Sequence, residues 1–345
     1  MKIIFIVLLV CLFSACQKTN QISPLPIAIS NNAVALIKKQ SNVELYSFNG
    51  LMSGKTHKDI TNRGFRYKDG KWLELTMPDS LLPVLASTAV NIGSKIYLIG
   101  GYTVDAKGAE KSVPEIFVLD TDSLKWSIAT TMPIPVDDTV ALVYANRYIY
   151  LVSGWHDVDN VSAVQVFDSK ESKWLSATPY PAPAVFGQAG GIVDNIIIVC
   201  DGVKVVATEN SRKFVSSPVC VKGIIDESLP KIIDWQTLPH HSGTAFYRMA
   251  AVGDANNQKV VFVGGSDNPY NYDGIGYDGV ASKASNQIFT FNIKTNQWHQ
   301  YQSSLEENMD HRALLIDGGD YYIIGGMDSN QKVLNKAIKF KLPNE

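Results

Sequence analysis

The chain has 345 residues, a formal net charge of −2 and an ordinary hydrophobic share of 46 %. A charge so close to zero supplies no basic field for a polyanion, which argues against nucleic-acid binding. The length is about twice that of a common domain, a size that a single domain reaches when it is built from repeats.

Met1-Lys2 is followed by an apolar run over 3–13 and then by Ser14-Ala15-Cys16. A short charged end, an apolar stretch too short to cross a bilayer and small residues before the cut make a secretory signal. Ser14-Ala15-Cys16 resembles the lipobox of bacterial lipoproteins, with Phe13 where leucine is usual. The resemblance implies cleavage before Cys16 and lipid on its sulfur. With Gln17 next in the chain, it also implies residence at the outer membrane, facing the periplasm or the cell surface. The expected organisation is a signal peptide over 1–15, a lipidated tether over 16–21 and a folded domain over 22–345, touching the membrane through its lipid only. Cys200 and Cys220 remain in the mature chain; they either pair in an oxidising compartment or stay as separate buried thiols.

The folded part repeats. Lys95-Ile96-Tyr97-Leu98-Ile99-Gly100-Gly101 reads as a buried strand ending in a tight glycine turn. The pattern recurs at 148–154, 196–202, 260–265 and 321–326, and more faintly at 43–50. A polar turn and a tryptophan follow each copy but the last, at Trp72, Trp126, Trp174, Trp235 and Trp298. Intervals of 48 to 63 residues between tryptophans suit a four-stranded propeller module. Six copies predict six blades. The last copy stops before a tryptophan-bearing fourth strand, and segment 22–26 aligns on the missing one. The ring is therefore expected to close by pairing the N-terminal strand with the C-terminal blade.

Turns between first and second strands are short, whereas the loops after the glycine pairs are long. Function is expected on the long-loop face, near the axis. The segments leading into the first strands differ from blade to blade: Asp137-Asp138, Phe186-Gly187-Gln188, Tyr247-Arg248 and Asp310-His311-Arg312. Asp138, Phe186 and Asp310 are read as equivalent positions. The long loops add His156, Asp157, Lys204, Asp267, Asn268 and Tyr270. Aromatic rings beside carboxylates, amides and arginines suit a sugar, whose apolar face lies on a ring while paired donors and acceptors take its hydroxyls. Arg248 and Arg312 need anions, supplied by Asp138 and Asp310 or by a ligand carboxylate. His240-His241 is read as solvated, since neighbours on an extended segment point oppositely. Asp267, Asn271 and Asp273 do not match a calcium-loop spacing, so no metal and no cofactor are expected.

Apolar strand, Tyr or Phe before Gly-Gly, a variable loop and a polar turn before Trp together resemble the Kelch repeat, which implies an all-β propeller. Among exported bacterial proteins the chain resembles the N-acetylneuraminate epimerase (sialic acid mutarotase) group. That resemblance implies interconversion of the anomers of a small acidic sugar by a carboxylate and an arginine in the central pocket. The group's catalytic glutamate follows a blade glycine, whereas here Val203-Lys204 follows Gly202 and Asp201 precedes it. The candidate proton carriers are Asp138, Asp201, Asp310 and His311, with the arginines and remaining loop residues on the substrate. The copper constellation of galactose oxidase, a relative by architecture, has no counterpart around Cys200 or Cys220. The alternative is a non-catalytic propeller that binds a glycan or an envelope protein.

Overall fold

The computed structural model describes residues 19–40, 42–208 and 211–342. The signal segment, Cys16 and its expected lipid lie outside the described residues.

Six four-stranded antiparallel sheets stand around one axis as the blades of a propeller. Blade 1 is Ala33–Lys39, Asn42–Leu51, Ile60–Lys68 and Lys71–Leu75. Blade 2 is Thr88–Ile92, Lys95–Ile99, Glu115–Asp120 and Lys125–Thr131. Blade 3 is Val140–Tyr144, Tyr148–Val152, Val164–Asp168 and Lys173–Ser176. Blade 4 is Ala189–Val193, Ile196–Cys200, Cys220–Ile225 and Ile233–Leu238. Blade 5 is Ala250–Asp254, Lys259–Val263, Ile288–Asn292 and Gln297–Tyr301. Blade 6 is Leu315–Asp317, Asp320–Ile324 and Ala337–Phe340, completed by Thr19–Gln21.

Closure through the N-terminal strand is therefore as expected, but its register is not. Thr19, Asn20 and Gln21 pair with Phe340, Lys339 and Ile338, upstream of the expected 22–26. Pro24 and Pro26 cannot donate to a ladder, so regular pairing ends before them. The chain after the strand still holds the blade through Ile22 N–H to Ala337 O at 3.1 Å and Leu25 N–H to Asn335 O at 2.8 Å.

Apolar side chains fill the wedges between neighbouring blades. Phe262, Phe289 and Phe291 of blade 5 pack with Ala189 and Ile198 of blade 4, and Tyr150 and Val166 of blade 3 pack with Ile197 and Val221 of blade 4. A buried side chain of this size stabilises the fold by about 2–3 kcal/mol. The repeated tryptophans tie one blade to the one before it. Trp72 Nε1 donates to Ser23 O at 2.8 Å, Trp174 to Thr130 Oγ1 at 3.1 Å, Trp235 to Thr178 O at 3.2 Å and Trp298 to Pro239 O at 2.7 Å. Cys200 and Cys220 face each other across two strands of blade 4 and form a disulfide.

Three two-stranded ribbons rise from the glycine turns: Tyr102–Val104 with Glu110–Ser112, Trp155–His156 with Asp159–Asn160, and Val203–Ala207 with Arg212–Ser216. They make the long-loop face. The one described helix is the short 3-10 turn His57–Asp59.

Candidate functional site

Each blade is led in by a residue that bridges the start of its own long loop: Ser30, Leu85, Asp137, Phe186, Tyr247 and Met309. The residue after each bridge lies in the left-handed region: Asn31 (φ 56°), Ala86 (53°), Asp138 (49°), Gly187 (63°), Arg248 (55°) and Asp310 (72°). These six form a ring at the axis. Backbone bonds run around it, from Asn31 N–H to Asp310 O (3.0 Å), Asp138 N–H to Ala86 O (3.1 Å), Gly187 N–H to Asp138 O (2.9 Å) and Arg248 N–H to Gly187 O (2.9 Å). The position equivalent to Asp138 is thus Gly187, and Phe186 stands one residue earlier, beside Asp137. Glycine is required at 187, because a Cβ there would lie 1.9 Å from the Tyr247 ring. The other five residues hold a conformation that costs about 1 kcal/mol or more each, strain of the kind that collects at functional sites.

Side chains from four blades meet inside the ring. The Arg248 guanidinium donates to Asp138 Oδ2 at 2.5 Å and to Asp310 Oδ1 at 2.9 Å. Arg312 donates to Asp138, and Asn31 Nδ2 donates to Asp310 Oδ1 at 2.9 Å. Asp138 and Arg248 are each 2 % exposed and Asp310 is wholly buried, so the anions that the arginines need are supplied internally. Two carboxylates against two guanidinium groups balance in formal charge. The network is nevertheless incomplete, for Asp310 Oδ2, His311 Nε2 and Arg312 Nε are buried without a hydrogen-bond partner. Burial pushes His311 down to about 4 and Arg312 down to about 10. On one side of the ring an axial channel of roughly 460 Å³ runs to the short-turn face, with Gln188 and Arg312 at its inner end and Lys38, Asn91 and Asp317 at its outer end.

Aromatic residues cover the long-loop side. Tyr247 and Tyr270 hold the Arg248 guanidinium against their rings, 4.7 and 5.5 Å from the centroids. Phe186 packs edge-on to Trp155 and Tyr247, and Tyr277 stacks on Phe214 at 4.3 Å. Burial raises the hydroxyl pKa of Tyr102, Tyr247 and Tyr270 well above the ordinary tyrosine value and that of Tyr277 to about 12, so all four remain donors at neutral pH. Asp137 is 2 % exposed, accepts from Ser112 Oγ at 2.6 Å and is pushed up to about 8, chiefly by burial. Asp157 fixes that serine by accepting its N–H at 2.9 Å, while its own N–H donates to Ser112 Oγ at 3.1 Å. Glu110, on the same ribbon, is exposed by area. Desolvation by its surroundings raises its pKa, while the Arg248 charge lowers it.

Of the residues expected in a site, the axis gathers Asp137, Asp138, Gln188, Tyr247, Arg248, Tyr270, Asp310, His311 and Arg312, with Phe186, His156 and Asp157 beside them. Lys204 lies half-buried on the outer ribbon. Asp267 is exposed, and Asn268 binds Asp278 within its own loop. Asp201 is elsewhere. It is wholly buried behind Gly202, with its two oxygens held by His240 Nε2 at 2.6 Å and His241 Nε2 at 2.9 Å. That arrangement corrects the reading of the histidines as solvated and removes Asp201 from the axial chemistry. The chain bends at 241–244, so the alternation of an extended strand does not apply and the two rings lie 4.0 Å apart on one side. His240, His241 and Cys220 could together face a metal ion, but the Cys220 sulfur is committed to its disulfide and His240 Nδ1 accepts from Gly243 N–H at 2.8 Å. The latter bond puts the His240 proton on Nε2, where a metal would need a lone pair. Glu110, Ser112, Tyr102, Tyr277 and Asn31 were not singled out from the sequence. The ribbon residues sit in a loop of variable pattern, and Asn31 precedes the faintest repeat.

A Kelch motif matches residues 84–133. An F-box/kelch-repeat protein of Arabidopsis thaliana is 28 % identical over 159 residues, which is 42 % of this chain and 42 % of that protein. Kelch-like protein 15 of Gallus gallus is 24 % identical over 155 residues, 45 % of this chain and 30 % of that protein. The match thus spans less than half the length of either relative. Among solved structures, that of YjhT superposes with a TM-score of 0.70 at 14 % identity, covering 92 % of this chain and 95 % of that one, a likeness of fold alone. The chain is an all-β, six-bladed propeller carrying a Kelch motif.

Proposed function

We propose that this propeller binds a small sugar at the long-loop end of its axis, with an acidic sugar of the sialic-acid type as the first candidate, and interconverts its anomers. The observation that carries the reading is the ring. Four polar side chains of three kinds, Asn31, Asp138, Arg248 and Asp310, come from four blades and are held there in strained backbone, and three of the polar atoms around them are buried without a partner. Residues needed only for blade packing would resemble one another from blade to blade. Of the tyrosines on that side, Tyr277 is 39 % exposed and offers a ring with a hydroxyl beside it, which suits a pyranose. Both arginines are already paired with the ring aspartates, so a ligand carboxylate would be held through the unpartnered Arg312 Nε–H.

The test is calorimetric titration with N-acetylneuraminic acid, glucuronic acid and N-acetylglucosamine, followed by NMR exchange between anomers. Binding of either acid, weakened at least tenfold in Arg312→Gln, supports the reading; binding of none of the three overturns it. A second reading, a non-catalytic module for an envelope protein, is favoured by Val158, Val206, Val215 and Val280, exposed apolar residues on the same face. It becomes the better one if none of the sugars binds.

A further inference from the structure

The ring carboxylates are poor proton carriers for such a reaction: Asp138 is shared between two guanidinium groups and Asp310 between a guanidinium and an amide. A different pair lies above the ring. Glu110 and Ser112 are two residues apart on one strand, so their side chains share a face, and the Ser112 hydroxyl on that face bonds Asp137. The ribbon register puts Val104 opposite Glu110 and Tyr102 opposite Ser112, so the same face carries buried Tyr102 down toward the axis. Blade 2 thus brings a carboxyl on the ribbon face that reaches the Asp137 carboxyl of blade 3 through Ser112, and the Glu110 charge is felt at Tyr272 and Tyr277 of the blade 5 loop.

Resting on the sugar reading above, we propose that Glu110 and Asp137 are the proton-handling pair of this site, Glu110 as base and Asp137 as acid. In ring opening, Glu110 takes the proton of the anomeric hydroxyl and the freed O–H pair becomes the second bond of the carbonyl. The bond from the anomeric carbon to the ring oxygen breaks, and its electron pair takes the proton of Asp137. Closure on the other face of the carbonyl returns both protons, so neither oxidant nor co-reactant is consumed. The geometry assigns unlike roles because one carboxyl is enclosed and bonded to Ser112 whereas the other stands at the open rim. Enclosure keeps Asp137 protonated at neutral pH, with its proton lost as the pH rises through about 8. The pair also accounts for Asp157 and its clamp on Ser112, which otherwise has no part in binding.

The experiment measures anomer exchange of N-acetylneuraminic acid by NMR magnetisation transfer, with binding followed separately by calorimetry, in the parent chain and in Glu110→Gln, Asp137→Asn and Ser112→Ala. The amide replacements keep size and hydrogen bonding, and thermal melting checks that each variant is folded. General acid–base catalysis is worth roughly a hundredfold or more, so Glu110→Gln and Asp137→Asn should each lose that much in kcat while KM stays within about twofold. The Ser112 bond opposes the upward shift of Asp137, so Ser112→Ala should carry the alkaline limb of the pH profile upward, whereas a merely structural serine would leave that limb in place. A parent that binds and exchanges the sugar while Glu110→Gln keeps its rate overturns the pair alone. A parent that binds without exchange also overturns the pair and leaves the binding site standing. A parent that does neither removes both.

Discussion

Two buried charged clusters can be set side by side in this molecule, the axial ring and the knot of Asp201 with His240 and His241 at the blade 4–5 junction. In the knot every polar atom is engaged. Both Asp201 oxygens accept from imidazoles, His240 Nδ1 accepts from Gly243 N–H, and His241 Nδ1 lies 3.1 Å from Ser242 Oγ. His241 is further stacked on Phe289 at 4.2 Å. In the ring, equally buried, Asp310 Oδ2, His311 Nε2 and Arg312 Nε have no partner. Burying a polar atom unpaired costs about 1–3 kcal/mol, and a cluster serving only the fold would be closed in the manner of the knot. The difference separates a structural tie from a site.

The largest expected effect sharpens that contrast. Arg248→Ala strands Asp138 and Asp310 without their shared cation and should cost about 3–5 kcal/mol in denaturant unfolding, with loss of sugar binding. A variant as stable as the parent would show that the ring carboxylates have other means of neutralisation. Next, reduction of the Cys200–Cys220 disulfide, which spans a sequence separation of 20, should cost about 3 kcal/mol by loop entropy while leaving ligand affinity alone. Paired unfolding curves with and without reductant, each with a titration, measure both. Asp201→Ala should cost about 2 kcal/mol and likewise spare binding; a tenfold loss of affinity in this variant would break the comparison, because it would make the knot part of the site. The last prediction concerns titration and is read as a slope against pH. His311 is depressed to about 4, so the folded state takes up its proton later than the unfolded chain, and stability falls as the pH drops from about 6.5 through 4. Asp137 is raised to about 8 and acts oppositely, its contribution being complete below about 4 and lost as the pH rises through 8. His311→Gln should flatten the first slope and Asp137→Asn the second, as read from melting temperature against pH.

How far each cluster could be read from sequence follows the same division. The blades were legible because Gly-Gly turns and tryptophans recur for a reason common to all of them: the turn needs positive φ, and each of four indoles bonds the preceding blade. Asp138, Arg248 and Asp310 were legible as ring residues because they break the pattern where the repeats otherwise align. Gly187 was missed by one position, since the bulky Phe186 looks more like a site residue than the glycine that the ring geometry demands. The knot was misread because its two histidines lie in a bend, where strand alternation gives the wrong directions. Glu110 and Ser112 were invisible for another reason: the ribbons of blades 2, 3 and 4 differ in length and sequence and so offer no shared pattern to align on, and only the fold brings Ser112 to Asp137.

The shared sixth blade has a consequence for how the molecule is assembled. Residues 19–21 meet residues 338–340, so one of the first strands to be synthesised waits for one of the last. Until then the ring is a horseshoe whose two open faces, on blade 1 and blade 5, lack their neighbour. A chain emerging from its N-terminal side would spend its whole synthesis in that state, with closure as its final contact. The interval is when a chaperone that covers exposed strand edges would matter most, and a stalled chain lacking its last three dozen residues would have every blade but the one that makes the propeller a closed body.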